Sequence, residues 1–225
     1  YPGEDLMWAD ITGILKTDNV DLVVLNRAPA SIADSAIRGI PLVMKDRDVW
    51  TRFMLVVTGV AEDFREFARE YDEIYQRSTS LIPKDAERLR RIIEFLESQT
   101  TLYATFSKLS LNEYEADLVQ RGAVERWVEN VVNAVVDVSK IALSSSKRTM
   151  PYGYAETVRS AALELGLQNE FWDKFLAWVK LRNILAHEYL DIKWKRIADF
   201  TRTSEPYIRL FIEVARHFLT REERV

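Results

Sequence analysis

The chain has 225 residues, enough for one or two domains with a sizeable hydrophobic core. Its formal net charge of −4 excludes a chain that binds nucleic acid through general basicity, so any phosphate contact must come from a local cluster of Lys and Arg. The absence of cysteine excludes disulfides and thiolate zinc sites. The sequence shows no secretory leader and no apolar run near the ~20 residues that span a bilayer, so we predict a soluble cytoplasmic protein without membrane insertion.

The first 45 residues are predicted to alternate between helices and short strands. The segments are a helix over 4–15, a strand over 20–26, a helix over 31–38 and a short strand over 41–45. Ser31 is placed to cap the second of these helices, with Asp34 in its first turn. A long helix over about 48–77 follows, and residues 78–83 form a linker that ends at Pro83.

Beyond residue 83 the apolar residues follow a helical period throughout, which predicts a mainly α fold, an up-and-down helical bundle. The predicted helices cover 84–107, 110–143, 154–165, 170–188, 193–202 and 205–221. Ser110 and Glu113 form a capping box that we assign to the long second helix, and Gly166 ends the third. The long helix carries an apolar stripe that predicts one side of the core: Val124, Trp127, Val128, Val131, Val135 and Val138.

Residues 182–189 read Arg-Asn-Ile-Leu-Ala-His-Glu-Tyr and contain His187. The chain has two histidines, and the other is His217. Imidazole is the side chain that carries protons most readily near neutral pH. On a straight helix Asn183 and His187 share a face, whereas Arg182 and His187 are rotated about 140° apart. Arg182 and His187 can act on one atom only if the helix ends or distorts between them, or if a second subunit supplies the converging partner. The simpler alternative is that Arg182 pairs with a carboxylate on a solvated face and His187 is a packing residue.

The motif Arg-x4-His-x-Tyr, formed by Arg182, His187 and Tyr189, resembles that of the HEPN toxins encoded beside minimal nucleotidyltransferase (MNT) antitoxins. Further stretches resemble the same family over roughly residues 84–220. They are Ala-Val-Glu-Arg-Trp at 123–127, Asp137, Pro-Tyr at 151–152 and Phe-Leu at 175–176. The resemblance implies a HEPN helical-bundle domain over 79–225.

The resemblance also implies an activity: metal-independent cleavage of RNA, tRNA included, by a homodimer. In that family's mechanism His187 would move the proton of a ribose 2′-OH or of the leaving 5′-oxygen, and Arg182 would stabilise the phosphorane. Asn183 would hold the imidazole or a phosphate oxygen. Tyr189 resembles the modification site, to which an MNT partner transfers AMP to block the cleft. No cofactor is expected for the cleavage itself.

Upstream, residues 20–26, 28–29, Gly39 and 42–44 resemble the second half of an MNT domain, which would make 1–78 a truncated α/β remnant with a small sheet. There Asp21 would be one metal-binding carboxylate, but the Asp-x-Asp pair and the Gly-Ser turn are absent. One aspartate cannot hold two Mg²⁺ ions on ATP, so we expect no nucleotidyl transfer unless the missing half is present. Two alternatives stay open: an inactive MNT–HEPN interaction protein, and a fragment of a longer active fusion whose missing half precedes Tyr1.

Two more sets of polar residues carry alternative interpretations. Offsets of four, three and four align a polar stripe on the long helix: Arg126, Asn130, Asn133 and Asp137. The stripe is either the solvated face of the helix or the lining of the cleft that holds Arg182 and His187, where it would orient the imidazole ring or the substrate. A basic cluster follows the motif: Lys193, Lys195 and Arg196. It either contacts RNA phosphates or is solvated surface.

Overall fold

Helices form the regular secondary structure of the residues that the structure, a computed structural model, describes: 3–77, 80–167, 170–187 and 194–222. Across these residues there are eleven helices: α1 Glu4–Leu15, α2 Ala30–Ile37, α3 Arg47–Arg77, α4 Pro83–Thr100, α5 Tyr103–Phe106, α6 Leu111–Ala116, α7 Leu118–Ser145, α8 Tyr154–Glu164, α9 Glu170–His187, α10 Trp194–Thr203 and α11 Glu205–Glu222. The mainly α prediction is confirmed. No described helix combines the length and apolarity needed to cross a bilayer.

The two predicted strands are wrong. Both 20–26 and 41–45 lie within the described residues, and neither forms a β-ladder; residues 25–27 make a turn. A strand requires a neighbour for its backbone hydrogen bonds, and the apolar composition of a segment alone does not supply one. The small sheet expected for a nucleotidyltransferase remnant is therefore absent from the described part of the chain.

Helix starts confirm some of the capping predictions and correct others. Pro83, predicted to end the linker, is the first residue of α4, so the helix begins one residue earlier than predicted. The Ser110 capping box is present, but it caps the short α6; α7 begins one helix later, where the Asp117 carboxylate accepts from the Val119 and Gln120 amides at 2.9 and 3.1 Å. Ser31 does not cap α2, because Pro29 takes the N-cap position and Asp34 falls in the second turn.

Helix α7 forms the centre of the bundle and packs against α3, α4, α8 and α9. Its six predicted core residues are all buried, which confirms the apolar stripe. On the far side of the core, α9, α10 and α11 bring together an aromatic cluster in which Trp178 lies 4.7 Å from Phe175 and 5.4 Å from Phe200 between ring centroids. This packing fixes the position of α9, the helix that carries the motif.

Helix α3 is shared between two packing units. Its N-terminal half covers α2, where Val57 joins Ala33 and Ile37 in a small buried cluster. Its C-terminal half buries four large side chains in the main core: Phe64, Phe67, Tyr71 and Ile74. The Tyr71 hydroxyl donates to the Arg148 carbonyl oxygen at 2.7 Å, which ties α3 to the loop after α7. The same half of α3 also presents its polar face to α7 and α9.

Candidate functional site

Helix α9 runs unbroken from Glu170 to His187, so no distortion separates Arg182 from His187. The two positions are therefore about 140° apart around the helix axis. This excludes the explanation that the helix ends or distorts between them. His187 is the last residue of the helix, and its side chain lies outside the described part of the structure. Tyr189 and Lys193 also lie outside the described residues.

The guanidinium of Arg182 is held on several sides. Its Nε donates to Asn133 Oδ1 at 2.6 Å, and its Nη1 donates to Asn183 Oδ1 at 3.2 Å. The same Nη1 forms an ion pair with Asp63 Oδ2 at 3.0 Å. The guanidinium carbon lies 5.1 Å from the centroid of the Tyr154 ring. With its side chain only 11% exposed, Arg182 is fixed in one orientation at the wall of a cavity.

The cavity, of about 310 Å³, is formed by α3, α4, α7, α8 and α9. Two aromatic side chains, Phe67 and Tyr154, contribute to its wall. Its charged lining consists of four carboxylates and three cations: Asp63, Glu66, Glu70 and Asp137, with Arg88, Lys140 and Arg182. The carboxylates exceed the cations by one, so the cavity does not attract phosphate by its overall charge.

Lys140 lies at the base of this cavity, with its side chain only 4% exposed. Its ammonium donates to Glu70 and, at 2.9 Å, forms an ion pair with Asp137. Burial raises the pKa of the Glu70 carboxyl, but the hydrogen bonds and charges of Lys140 and Arg88 outweigh it, and the net pKa is below its usual value. Glu70 therefore stays ionised at neutral pH and keeps the buried ammonium neutralised.

Burial also raises the pKa of the Tyr154 hydroxyl, and the nearby Arg182 charge only partly opposes this shift. Tyr154 is therefore a neutral phenol at physiological pH. Its ring serves as a surface for the Arg182 guanidinium, and its hydroxyl is not a source of a phenolate base.

The polar stripe of α7 divides between the two interpretations that the sequence left open. Asn133 and Asp137 line the cavity beside Arg182. Asn130 lines an adjoining cleft of about 270 Å³ that shares Asn133 and Asp137 with the cavity. Arg126 is exposed, pairs with Glu129 at 2.9 Å and is not among the lining residues of either space. The structure thus brings the C-terminal part of the stripe to Arg182 and leaves its start on the solvated face.

The remaining candidate residues lie apart from Arg182. Lys195 and Arg196 are exposed on α10, and His217 is exposed on α11. Asp21 is exposed in the irregular segment after α1, and the described residues contain no group of three or more metal-ligating side chains. The surroundings of Asp21 therefore do not fit a pair of Mg²⁺ ions on a triphosphate.

The sequence prediction did not include Asp63 and Tyr154, which contact Arg182, or Lys140, which lines the same cavity. Lys140 carried a usable pattern, since it follows Asp137 by three residues on a valine-rich helix, where a buried ammonium needs a carboxylate. Tyr154 opens α8 and gave no such pattern. Asp63 lies more than a hundred residues before Arg182. It belongs to the helix over about 48–77, which is predicted to belong to the N-terminal domain and not to the bundle.

Residues 84–215 match the family model described as ribonuclease HepT-like. This match covers α4 to most of α11, and it includes Arg182, Asn183, Asn133 and Asp137. No curated protein and no solved structure matches the chain. Because the matched residues make up more than half of the sequence, the chain belongs to the ribonuclease HepT-like family.

Proposed function

We propose that the chain is a HEPN-type toxin ribonuclease that cleaves RNA without a metal ion. The observation that carries this proposal is the Arg182 guanidinium, which Asn133 and Asn183 hold at the wall of the cavity. Arg182 lies on the same unbroken helix as His187. A fixed guanidinium suits a reaction that builds negative charge on phosphorus, because its position does not have to be reorganised in the transition state. Membership of the family supports the same activity.

In the proposed reaction the ribose 2′-oxygen attacks the adjacent phosphorus while its proton leaves. The bond from phosphorus to the 5′-oxygen breaks, and that oxygen takes up a proton, leaving a cyclic phosphate and a free 5′-hydroxyl. His187 is the group that accepts the first proton or supplies the second. Arg182 donates to the phosphorane oxygens, and Asn183 helps to hold the guanidinium through the hydrogen bond at 3.2 Å.

The proposed active unit is a homodimer. Because α9 is continuous, the positions of Arg182 and His187 in one chain are about 140° apart around the helix axis. An isologous contact would bring the Arg182 of one subunit to the His187 of the other. If so, inactive Arg182→Ala and His187→Ala chains should complement each other when mixed. Random re-dimerisation would restore about a quarter of wild-type activity, since half of the dimers would hold one intact site. A monomer at micromolar concentration would contradict this assembly.

Cleavage in the presence of EDTA tests the activity. Purified chain should cut single-stranded RNA or tRNA and leave a cyclic phosphate end. His187→Ala should abolish cleavage, whereas His217→Ala, the other histidine and an exposed one, is the matched control and should not. Undiminished cleavage by His187→Ala would overturn the assignment, and loss of cleavage in EDTA would overturn its independence of metal.

We further propose that an MNT-type nucleotidyltransferase partner regulates this site by modifying Tyr189. The tyrosine oxygen would attack the α-phosphorus of ATP–Mg²⁺, pyrophosphate would leave, and the hydroxyl proton would pass to a base of the partner. Incubation with a complete MNT protein and ATP–Mg²⁺ should add AMP to wild type and not to Tyr189→Phe, as read by mass spectrometry. Tyr152→Phe, which removes an exposed hydroxyl elsewhere, is the control. Self-modification by this chain alone would contradict the proposal.

The alternative is an interaction protein without catalysis. It is favoured by the apolar side chains that the described N-terminal residues expose, among them Leu6, Ile14, Ile40, Leu42 and Val43. The EDTA cleavage experiment separates the two functions, because a chain that only binds partners would leave RNA intact in wild type and in His187→Ala alike.

A further inference from the structure

Asp63 of α3 places a carboxylate against the guanidinium that the proposed reaction requires for phosphate. We propose that Asp63 occupies the phosphate position on Arg182, so that an RNA phosphate must exchange with this carboxylate to enter the site. Asp63 would then determine which anions the site accepts. This inference rests on the proposed function and assigns a role to a residue outside 84–215, the part of the chain that matches the family.

The Asp63 side of Arg182 is partly open to solvent. Asn133 accepts from Nε, the Tyr154 ring lies along the guanidinium, and Asn183 and Asp63 both approach Nη1. The Arg182 side chain is 11% exposed, whereas that of Asp63 is 36% exposed. A carboxylate and a phosphodiester both present anionic oxygens to a guanidinium, and both form charge-assisted hydrogen bonds with it. The Asp63 oxygen at 3.0 Å therefore lies where a phosphate oxygen would bind.

The exchange requires a change in one side chain and not in a helix. The C-terminal half of α3 is fixed because Phe64 and Phe67 are buried beside Asp63, and both rings pack edge-on against Tyr154 at centroid distances of 5.7 and 5.3 Å. The partly exposed Asp63 carboxylate can instead rotate into solvent while its backbone stays in place. The cost of opening includes the loss of a partly solvated ion pair with Arg182, which is modest.

This exchange favours long anions over short ones. One phosphate that replaces one carboxylate gains little, because the displaced Asp63 stays nearby and Glu66 and Asp137 line the same cavity. A polymer adds contacts beyond the cavity, where Lys195 and Arg196 are exposed, and these contacts can compensate for the exchange. Asp63 should therefore keep inorganic phosphate and mononucleotides out of the site at concentrations at which RNA still binds.

Direct binding tests the inference in the His187→Ala background, in which the proposed reaction cannot consume the probe. A labelled single-stranded RNA should bind the Asp63→Asn variant about five to ten times more tightly than the parent, as measured by fluorescence anisotropy. Glu62→Gln is the matched control: it neutralises the adjacent carboxylate of α3, which is exposed, pairs with Arg65 and does not line the cavity. Its RNA affinity should change less than about twofold.

Inorganic phosphate provides the second arm. It should compete with the RNA probe at a concentration several times lower in Asp63→Asn than in the parent, and the same shift should appear in Asp63→Ser, which shortens the side chain. Equal RNA affinities for Asp63→Asn and Glu62→Gln, or weaker binding by both Asp63 variants, would overturn the inference.

The results distinguish a failure of the proposed ribonuclease activity from a failure of the proposed role of Asp63. Tighter RNA binding by Asp63→Asn in a protein that cleaves no RNA would support the role of Asp63 and overturn the ribonuclease. Cleavage that depends on His187, together with RNA affinity that ignores Asp63, would support the ribonuclease and overturn the role of Asp63.

Discussion

The N-terminal region (residues 3–55) and the bundle (α4–α11 with the C-terminal half of α3) are both helical, but they bury apolar surface very differently. Among the described residues, 14 of the 23 exposed large hydrophobic side chains fall within the N-terminal region. In the part of the chain that the structure describes, its cluster of buried residues consists of Ala33, Ile37 and, from α3, Val57, whereas the bundle forms one continuous core. Helix formation therefore does not imply a core; stability comes from the apolar face that a helix buries.

Helix α3 connects the two regions and belongs structurally to both. Its first half completes the small cluster of α2, and its second half is part of the bundle core. The predicted domain boundary after residue 78 stays a prediction, but α3 contributes Phe64 and Phe67 to the packing of the family-matched bundle. The comparison between the regions can be sharpened by variants on each side of this helix.

The largest effect is expected from the core of the bundle. Phe211 is fully buried, with its ring centroid 5.9 Å from that of Phe175, and Phe211→Ala should lower the free energy of unfolding by about 3–5 kcal/mol. Ile37→Ala, in the small cluster of the N-terminal region, should leave the main unfolding transition nearly unchanged. Urea denaturation followed by circular dichroism measures both. Equal losses would show that the two regions unfold as one unit.

The next effect concerns the ion pairs beneath the cavity. Glu70→Gln leaves the buried Lys140 ammonium with Asp137 as its remaining carboxylate, and should lower the free energy of unfolding by about 1–2 kcal/mol. Glu87→Gln, which removes a solvated partner of Arg90 and Arg91, is the control and should be silent. A silent Glu70→Gln would show that Lys140 is satisfied by Asp137 alone.

The contribution of Glu70 to the free energy of unfolding should also depend on pH. Its pKa in the folded protein lies below the ordinary value of 4.5, so the pair stabilises the fold above that pH. As the pH falls through the folded-state pKa, Glu70 becomes protonated and this stabilisation is lost. The difference in stability between wild type and Glu70→Gln should therefore be constant near neutral pH and shrink in acid. A difference that grows in acid would contradict the lowered pKa.

A smaller effect is expected where α2 meets α3. The Asp34 carboxylate, 10% exposed, pairs with Arg38 at 3.1 Å and with Arg65 at 3.4 Å. Asp34→Asn should loosen α2 by about 1 kcal/mol without changing the unfolding of the bundle. Hydrogen exchange read by mass spectrometry should show faster exchange of α2 alone. Faster exchange of α7 as well would show that the small cluster supports the bundle.

The smallest effect concerns RNA affinity. Lys195 is exposed on α10 of the bundle, and Lys195→Ala should reduce the slope of log affinity against log salt by about one while weakening binding uniformly across sequences. Lys45→Ala, which removes another exposed lysine, in the N-terminal region, is the control. An equal change in both would place RNA contacts in the N-terminal region as well.

The bundle was predictable because its helices carry a local apolar period. The six core residues of α7 are read from that period, and Pro83 marks the start of α4. The start of α7 was misplaced because two good caps, Ser110 and Asp117, lie seven residues apart, and a short helix separates them. The strands were mispredicted because pairing depends on a partner that the local sequence does not reveal.

The site was predictable only as far as it is local. Arg182 and Asn183 come from the motif, and helical spacing placed Asn133 and Asp137 on one stripe. Asp63 was not predictable, because its contact with Arg182 joins two helices more than a hundred residues apart, and no period or motif connects them. The division of the polar stripe likewise depends on where α9 crosses α7.

The hydrogen bond from Arg182 Nε to Asn133 also reduces the conformational entropy that the Arg182 side chain would lose when RNA binds. A free arginine side chain loses about 1.5–2 kcal/mol of rotamer entropy when a ligand immobilises it. In this protein Asn133, at 2.6 Å, and the Tyr154 ring impose that order during folding, before any RNA arrives. RNA binding then has a smaller entropy penalty, so Asn133→Ala should weaken binding through a more unfavourable entropy while leaving the binding enthalpy largely intact.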